Sequence, residues 1–282
     1  MIEQILSEWE AWHLCATPPV RAQLKPLPGG LTNQCFLLTL GSGQYVLRIE
    51  GQNSGALDIN RHSEWLVHRL VAGKGLTPTV RYRSAPDRAD GVHYWIRDYV
   101  PGHSLRADEL TLNRLMQMAA QLSLLHDINP PDDVPQLSIS AKASHYWNII
   151  SANTRNDELL ALRAPLQSVL GGVPDKRLCL CHMDPLPANW ILTPDDDLVL
   201  LDWEYAAIGH PLWDIAALLQ NAGLNEEDES KVLYAYGIRD DRAWALAREQ
   251  MNYLSALWYG AQGIWSEREL DVYLRGLLAL SS

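Results

Sequence analysis

Short apolar-rich runs alternate with polar turns in the early part of the chain, and this spacing is typical of strands. Residues 35–40 and 44–49 are two such runs around the turn Gly41-Ser42-Gly43, so we predict an antiparallel hairpin. Residues 79–82 and 92–97 predict two more strands, separated by a polar segment. The pattern therefore indicates a small antiparallel sheet.

Elsewhere apolar side chains recur three and four positions apart, which is typical of amphipathic helices. Residues 1–14 carry this spacing ahead of the strands, and residues 60–72 carry it among them. A long helix is predicted to run from the polar residues 108–109 to Leu125-His126. The remaining predicted helical segments are 142–170, 212–220, 226–237 and 240–280. A sheet followed by many helices predicts the α+β class.

The most informative stretch is residues 178–205, where polar positions interrupt two apolar runs. Residues 178–181 form the first run, and residues 198–201 form the second. The turn-forming residues 193–197 lie between them and favour a hairpin. We expect this hairpin to bring the polar residues of the stretch close together.

These polar residues are His182, Asp184 and Asn189 in the loop after the first run, and Asp202 at the end of the second. Two carboxylates and an amide oxygen suit Mg²⁺ that is held jointly with phosphate oxygens. In phosphoryl transfer, one Asp receives the proton of the nucleophile while an Asn and a second Asp hold the metal. The stretch therefore predicts phosphoryl-transfer chemistry.

The composition describes an ordinary soluble globular protein, with 47% hydrophobic and 20% charged residues in a chain of 282. Its length allows one large domain or two packed lobes. The net charge of -11 and the lack of a basic stripe argue against nucleic acid as a partner. No apolar run approaches a membrane span, and the first residues lack the basic start of a secretion signal. We expect a cytoplasmic protein without a membrane partner, and the oligomeric state stays open.

The chain has four cysteines, which do not make a disulfide scaffold at this length. Cys179 and Cys181 are closer together than the cysteines of a usual zinc site. In a strand they share one face while His182 points to the other. We therefore interpret both cysteines as small buried hydrophobic side chains.

The pattern H-x-D-x-x-x-x-N at His182, Asp184 and Asn189, followed by Asp202 in Asp-Trp-Glu, resembles a known family. It is similar to the catalytic and metal loops of the aminoglycoside phosphotransferase and choline kinase group, small-molecule relatives of the protein kinases. The resemblance implies a bilobal α+β kinase-like fold. The small lobe has an antiparallel sheet and one main helix, and the large lobe is mostly helical. The implied division is 1–98 for the nucleotide-binding lobe, 99–103 for the hinge and 104–282 for the catalytic and acceptor-binding lobe.

The resemblance also implies a role for each loop residue. Asp184 accepts the proton of the acceptor hydroxyl, and His182 supports the loop through hydrogen bonds. Asn189 and Asp202 bind the Mg²⁺ that bridges the ATP phosphates. Asp214, in the predicted helix 212–220, matches an aspartate that braces the catalytic loop from below.

The turn Gly29-Gly30-Leu31-Thr32-Asn33 offers backbone amides for nucleotide phosphates. A plain hairpin turn is the alternative interpretation of this segment. Its sequence Gly-Leu-Thr-Asn resembles the glycine-rich turn of choline kinase-like proteins. The resemblance implies that Gly29, Gly30, Thr32 and Asn33 bind ATP. At the hinge, Asp98 and Tyr99 are expected to meet the adenine ring through backbone groups.

Arg48 ends a predicted strand at the position where kinases usually carry lysine, and choline kinase relatives often carry arginine there. An arginine can hold phosphate oxygens with two parallel hydrogen bonds. We expect Glu64, in the helix 60–72, to orient Arg48 as the matching pair does in kinases. Two ordinary surface charges are the alternative. The segment Ile59-Asn60-Arg61 also resembles the choline kinase branch.

Eleven tryptophans beside a single phenylalanine suggest how the acceptor is bound. Aromatic faces together with a carboxylate recognise soft cations such as a quaternary ammonium. Trp258 and Trp265 are seven positions apart and are therefore expected to share a helix face. We predict an acceptor cage with Trp258, Trp265 and Trp147 as walls and Glu204 as the carboxylate. An aromatic stripe of the core is the alternative.

The sequence therefore predicts an ATP- and Mg²⁺-dependent kinase that phosphorylates the hydroxyl of a small cationic alcohol. Choline, ethanolamine and thiamine all satisfy this description, and the nucleotide preference stays open. An aminoglycoside acceptor is disfavoured because the acidity is not concentrated in one segment. A non-catalytic nucleotide-binding relative is the contrasting class, but it would typically lose Asp184, Asn189 or Asp202. A metal-dependent hydrolase and a protein kinase are disfavoured because their motifs are absent.

Overall fold

The structure is a computed structural model, and it describes residues 1–28, 32–51, 59–171, 177–220, 222–239 and 241–280. Its contacts divide the chain into two units. The first unit comprises Met1–Ser104 and Trp190–Tyr205, and the second comprises Leu105–Asn189 and Ala206–Ser282. Residues 190–205 thus belong to the first unit, although they directly follow the loop 182–189 in sequence. The hinge at residues 99–103 stays a prediction.

The described residues form ten strands and ten α-helices. The strands are β1 Leu24–Pro26, β2 Asn33–Leu40, β3 Gly43–Glu50, β4 Val80–Arg83, β5 Tyr94–Asp98, β6 His103–Ser104, β7 Cys179–Cys181, β8 Trp190–Leu192, β9 Leu198–Leu200 and β10 Ala207–Gly209. The helices are α1 Ile2–Ser7, α2 Trp9–Trp12, α3 Arg61–Ala72, α4 Leu112–His126, α5 Ile139–Asn153, α6 Asp157–Ala161, α7 Pro211–Leu219, α8 Glu226–Tyr236, α9 Asp241–Ala261 and α10 Glu267–Leu280. The α+β class predicted from the sequence is confirmed.

The first unit contains a five-stranded antiparallel sheet in the order β1-β2-β3-β5-β4. The predicted hairpin is β2-β3, and Leu40 pairs with Gly43 at its end. Gly41 adopts a φ of 60° in this turn, a left-handed conformation that glycine accepts without steric cost. The turn chemistry in the sequence therefore sets the register of the two strands.

The amino-terminal segment packs on this sheet as two short helices, where the sequence predicts one helix over residues 1–14. Glu8 interrupts the helical hydrogen bonding between α1 and α2, and His13 ends α2 in a left-handed conformation. The buried side chains Ile5, Leu6 and Trp12 join the hydrophobic core of the sheet. The indole N–H of Trp12 donates to the Tyr94 hydroxyl at 3.0 Å.

Helix α3 begins where the predicted helix 60–72 begins because Asn60 caps it. The side-chain oxygen of Asn60 accepts from the backbone N–H groups of His62 and Ser63 at 3.1 and 3.0 Å. The buried face of the helix includes Val67 and Val71, but it also includes Glu64, which is 1% exposed. A buried carboxylate needs compensating partners, which identifies this face of α3 as part of a polar site.

A second sheet of the first unit has the order β6-β8-β9. Strands β8 and β9 form a hairpin, in which Trp190 pairs with Leu200 and the backbone N–H of Thr193 donates to Asp197 at 2.9 Å. The predicted turn is therefore present, but β8 precedes it in place of the run 178–181. That run contains β7, which pairs with β10 in the second unit.

The second unit is mostly helical. Helix α4 buries one face, with Leu115, Met118, Leu122 and Leu125 almost fully enclosed, and all nine residues of α7 are buried. The predicted helical region 142–170 contains α5, α6 and a 3₁₀ segment, Pro165–Leu170. The predicted segment 240–280 is two helices, α9 and α10, because Gly263 adopts a φ of 66° between them. In the described part of the chain, no helix combines the length and the apolar character that crossing a membrane requires.

Candidate active site

The loop after β7 is held by one aspartate of the second unit. Asp214 lies in α7 and is fully buried. Its two carboxylate oxygens accept the backbone N–H groups of His182 and Met183, each at 2.7 Å. Met183 has a φ of 68°, so this clamp fixes a backbone conformation that a non-glycine residue seldom adopts. Asp214 therefore determines the path of the loop that carries Asp184.

Asp214 is itself part of a buried polar chain in the second unit. Nε2 of His126, at the end of α4, lies 3.0 Å from a carboxylate oxygen of Asp214. Nδ1 of His126 is hydrogen-bonded to the hydroxyl of Tyr236. Burial raises the pKa of Tyr236, so its hydroxyl stays protonated. The chain provides the compensation that a buried carboxylate requires.

Asp184 and Asn189 are joined directly within the loop. The side-chain amide of Asn189 donates to the backbone oxygen and to one carboxylate oxygen of Asp184, both at 2.8 Å. The backbone N–H of Asp184 donates to Nδ1 of His182 at 3.2 Å. Because Nδ1 accepts this bond, neutral His182 carries its proton on Nε2. His182 is fully buried beside the loop backbone, and its supporting role stays a prediction.

In the first unit, Arg48 and Glu64 form an ion pair between β3 and α3. One terminal nitrogen of Arg48 lies 2.5 Å from Glu64. The other lies 3.5 Å from Glu204 and 3.6 Å from Asp202. Burial opposes the charge of Arg48, but the surrounding carboxylates outweigh it and hold the pKa of Arg48 above its usual range. The planar guanidinium of Arg48 thus contacts Glu64 with one terminal nitrogen and faces Glu204 and Asp202 with the other.

Arg61 is a member of this network to which the sequence assigns no role. From the first turn of α3 it donates to Glu64 at 2.8 Å and to Glu204 at 3.2 Å. Its other terminal nitrogen donates to the side-chain oxygen of Asn33 at 2.9 Å. The signal in the sequence was its position three residues before Glu64, which places the two side chains on one helix face.

Glu204 occupies the centre of the network. It accepts from the Thr32 hydroxyl at 2.9 Å and from the side-chain amide of Asn33 at 3.2 Å, and it contacts both Arg48 and Arg61. Burial, and then the charge of Asp202, raise the pKa of Glu204 to about 7. The role of Glu204 as the acceptor's carboxylate stays a prediction. Its oxygens are engaged by the arginines and by the segment that follows the glycine-rich turn.

Gly29 and Gly30 lie outside the described residues, so their predicted contact with phosphates is not described. Asp98 and Tyr99, the other predicted nucleotide residues, lie at the end of β5. Their backbone N–H groups donate to Thr79 at 2.9 Å and to Gln44 at 3.2 Å. The Asp98 carboxylate pairs with Arg81 at the surface. The backbone donors of both residues are therefore engaged inside the first unit.

Asp202 follows β9 in a left-handed conformation, with a φ of 63°. Its Oδ1 atom is buried and has no hydrogen-bond partner among the described residues. Asp202 Oδ1 has Arg48 as an ion-pair partner at 3.6 Å, which exceeds a hydrogen-bond distance. A buried carboxylate oxygen without a donor fits a metal ligand, because a cation supplies the missing compensation.

Two side-chain clusters of the described residues have the composition of a metal site. In the first, Glu64, Asp202 and Glu204 place carboxylate oxygens within 4.8 Å of one another. In the second, a ring nitrogen of His126 and the sulfur atoms of Cys179 and Cys181 also lie within 4.8 Å of one another. Both ring nitrogens of His126 have hydrogen-bond partners, and burial raises the pKa of the Cys181 thiol. Protonated thiols are poor metal ligands, so the second cluster does not fit a cation. In the first cluster, Glu64 and Glu204 are already paired with Arg48 and Arg61, which leaves Asp202 as the carboxylate that fits a cation.

The predicted acceptor tryptophans differ in their surroundings. Trp147 is 1% exposed, and its indole N–H donates to Tyr253 at 2.7 Å. This interior position corrects the prediction of Trp147 as a wall of the acceptor cage. Trp258 lies in α9 and Trp265 lies after its end, so the expected shared helix face is wrong.

Trp258 and Trp265 are nevertheless linked through a residue that the sequence-based prediction omitted. Tyr259 stacks on Trp265 with ring centroids 5.0 Å apart, and it meets Trp258 edge-on at 5.3 Å. Tyr273 of α10 extends this row, 5.1 Å from Trp265. Burial, and then the charge of Asp184, raise the pKa of Tyr259. This aromatic row, Trp258, Tyr259, Trp265 and Tyr273, is therefore within electrostatic reach of the loop aspartate.

Comparisons with known proteins identify the family of the chain. The model of the phosphotransferase enzyme family, APH, matches residues 23–250. The protein LicA of Haemophilus influenzae is 28% identical over 222 residues, which cover 74% of this chain and 61% of that relative. The chain thus aligns with less than two thirds of that relative's length.

Solved structures show the same fold at lower identity. The choline kinase LicA from Streptococcus pneumoniae has a TM-score of 0.70 at 21% identity, and the match covers 98% of each chain. A choline/ethanolamine kinase family protein from Mesorhizobium loti has a TM-score of 0.68 at 22% identity, covering 99% of this chain and 92% of that one. The kinase-like fold predicted from the sequence is confirmed.

Proposed function

The chain belongs to the phosphotransferase enzyme family, and we propose that it transfers the γ-phosphoryl group of a purine nucleoside triphosphate such as ATP to the hydroxyl of a small cationic alcohol. Choline, ethanolamine and thiamine are the acceptors that fit this description. The observation that carries the proposal is the loop fixed by Asp214, in which Asn189 is bonded to Asp184. Such a rigid pair of a carboxylate and an amide is what phosphoryl transfer requires.

In the proposed mechanism, Asp184 orients the acceptor hydroxyl and receives its proton. The amide of Asn189 holds the Asp184 carboxylate in one rotamer, so the oxygen that accepts the proton is positioned in advance. His182 acts through the loop backbone and not as a base, because Nδ1 is already an acceptor for the N–H of Asp184. Asp214 fixes the loop on its other side.

Asn189 and Asp202 are the proposed ligands of Mg²⁺. The buried Oδ1 atom of Asp202 supports this role because it has no hydrogen-bond donor among the described residues. Bound Mg²⁺ would neutralise the charge of the phosphate oxygens during transfer. Arg48 would add a second positive charge, which Glu64 holds in place. Glu204 and Arg61 would keep Thr32 and Asn33 beside these groups.

The acceptor is assigned from the aromatic row and from the relatives. Aromatic faces attract a cationic headgroup, and Tyr259 and Trp265 provide two stacked, half-buried rings. The similar proteins named as choline or choline/ethanolamine kinases act on acceptors of this kind. We infer that Trp258, Tyr259 and Trp265 bind the cationic part of the alcohol.

The test is release of the nucleoside diphosphate in the presence of Mg²⁺ and choline, ethanolamine, thiamine, an aminoglycoside or a sugar alcohol. We expect turnover with a cationic alcohol, and loss of turnover in Asp184→Ala with nucleotide binding preserved. Asp108→Ala is the matched control, because Asp108 is 76% exposed and pairs only with surface arginine. Turnover that persists in Asp184→Ala, or that requires no cationic alcohol, contradicts the proposal.

A further inference from the structure

Arg97, a cation of the first unit, makes no hydrogen bond or ion pair with the network around Glu204. Arg97 lies in β5 and is half-buried. Among the described residues, no carboxylate lies within ion-pair distance of its guanidinium, and its one hydrogen bond goes from Nη1 to the backbone oxygen of Asp98 at 3.2 Å. An arginine has five N–H donors, so most of its capacity is unused within the described part of the chain.

The strand register places Arg97 on the same face of the sheet as Arg48. Arg97 pairs with Val46, and Trp95 pairs with Arg48. Residues two apart in a strand share a face, so Arg97 follows Trp95, whose ring lies under the Arg48 guanidinium. The two arginines are therefore roughly 7 Å apart along the strand direction. Arg97 lies on the side of Asp98 and Tyr99, and Arg48 lies on the side of Glu64.

The surroundings of Arg97 favour an external hydrogen-bond acceptor. Burial lowers the pKa of Arg97 to about 10, which leaves the side chain charged at pH 7. The backbone N–H groups of Asp98 and Tyr99 are already engaged with Thr79 and Gln44. The guanidinium of Arg97 is thus a hydrogen-bond donor that the described structure provides beside Asp98.

A nucleotide would use this donor if the proposed function is correct, because its phosphates would lie at Arg48 and its base beside Asp98. We propose that Arg97 contacts the base of the phosphoryl donor and favours a 6-oxopurine nucleotide, GTP or ITP, over ATP. Arginine offers donors and no acceptor, and guanine presents two acceptors, O6 and N7, on one edge. Adenine presents the N6 amino group at the same place, so two donors would face each other.

The contact with Arg97 sets the size of the preference. The backbone oxygen of Asp98 accepts from Arg97 and keeps a second lone pair, so it does not itself select between bases. ATP would lose the hydrogen bonds to Arg97 that a 6-oxopurine makes. The expected preference is about tenfold to a hundredfold, the range in which one good arginine–guanine contact discriminates between bases.

Two measurements test the base preference. The first compares kcat/KM for GTP, ITP and ATP with an accepted alcohol. The second compares the dissociation constants of GDP, IDP and ADP in the absence of any alcohol. We expect GTP and ITP to behave alike, because ITP keeps O6 and N7 and lacks only the 2-amino group of guanine. Arg97→Met should bring the ratio of GTP to ATP close to one in both measurements.

Arg97→Lys separates base contact from general charge, since lysine keeps the charge but lacks the planar fork. It should lose most of the preference while retaining affinity for the phosphates. Arg69→Met is the matched control, because Arg69 is exposed on α3 and should leave the ratio unchanged. Thermal unfolding of each variant shows whether it is folded under the conditions of the assay.

Several outcomes would overturn the inference. A wild-type preference for ATP does so directly. A preference for GTP that ITP does not share assigns the choice to the 2-amino group and not to O6. Equal losses for GTP and ATP in Arg97→Met would make Arg97 a phosphate contact. If no alcohol is phosphorylated but GDP still binds better than ADP, the proposed function fails and the inference about Arg97 stands.

Discussion

The guanidinium of Arg48 lies over the indole ring of Trp95, with its central carbon 4.6 Å from the ring centroid. The two residues pair directly across β3 and β5, so the sheet itself sets this contact. Trp65 and His68 of α3 hold the indole edge-on from the helix side, at 5.8 and 5.1 Å. The indole ring of Trp95 thus fixes the plane of the Arg48 guanidinium. The carboxylate of Glu64 fixes the direction in which the guanidinium points.

Trp95→Leu should raise the KM for the nucleotide by about threefold to thirtyfold, the range expected for loss of one cation–π contact. Trp95→Phe keeps an aromatic face and should lie closer to the wild type. Trp12→Leu is the matched control, because Trp12 is an equally buried tryptophan of the same unit and lies away from Arg48. If all three variants lower the melting temperature but leave the KM unchanged, Trp95 is only a core residue.

Arg61→Ala should destabilise the first unit and weaken nucleotide binding together. The substitution removes one of several donors to Glu204, the donor to the side-chain oxygen of Asn33 and one of the two arginines at buried Glu64. Both carboxylates keep Arg48, and hydrogen bonds to charged groups contribute about 1.5–3 kcal/mol, so we expect a loss of this size in the free energy of unfolding. Chemical denaturation and nucleotide titration measure the two effects. Arg69→Ala, at an exposed position of the same helix, should produce neither.

Asp214→Asn should lower kcat by at least about tenfold while changing nucleotide affinity little. An asparagine offers one acceptor, so either His182 or Met183 would face an amide N–H in place of an oxygen. An unsatisfied buried donor costs about 1–3 kcal/mol, which the loop would avoid by leaving its present conformation. Steady-state kinetics and calorimetric binding separate the two quantities. Asp127→Asn, at a position where the carboxylate is 69% exposed, is the control.

The stability of the protein should fall as the pH falls from about 6.5 to about 4, in part because of His68. Burial lowers the pKa of His68 to about 4 from its ordinary value of 6.5. The unfolded chain therefore binds this proton in a pH range where the folded chain does not. Stability from this group is complete above pH 6.5 and is lost as the pH approaches 4.

The shift corresponds to about 3 kcal/mol, which His68→Gln should remove from the pH dependence of the free energy of unfolding. Glutamine retains a donor for the backbone oxygen of Pro78, which His68 contacts at 2.9 Å. Denaturant unfolding at pH 7 and pH 4 measures the difference. His62→Gln, at an exposed position of α3, should leave the pH dependence as it is. An unchanged pH dependence in His68→Gln would exclude His68 as its source.

The sequence predicted those elements whose signals are local. The glycine turn of β2-β3 and the Asn60 cap of α3 are short-range features, and both elements begin or turn where expected within a few residues. The break between α9 and α10 was missed because both sides have helical spacing, and a single glycine in such a pattern is compatible with a continuous helix. The split of the leading helix at Glu8 was missed for a similar reason.

The candidate site was predictable only where its residues are close in sequence. His182, Asp184 and Asn189 follow one another in a single loop, so a motif describes them. Arg61 and Glu204 meet across 143 positions, and no local pattern indicates that contact. The burial of the tryptophans was also not predictable from the sequence. Spacing could not distinguish buried Trp147 from half-buried Trp258, because both lie in helices with apolar neighbours.

The central claim is that a γ-phosphoryl group moves from a nucleotide to the hydroxyl of a cationic alcohol with Asp184 as the base. Phosphorus NMR of the reaction mixture tests it most directly, because it observes the new phosphate ester itself. With GTP or ATP, Mg²⁺ and choline, ethanolamine or thiamine, the wild type should form a phosphomonoester, and Asp184→Ala should form none while still binding nucleotide. Inorganic phosphate as the only new signal, or the same ester from Asp184→Ala, would contradict the account.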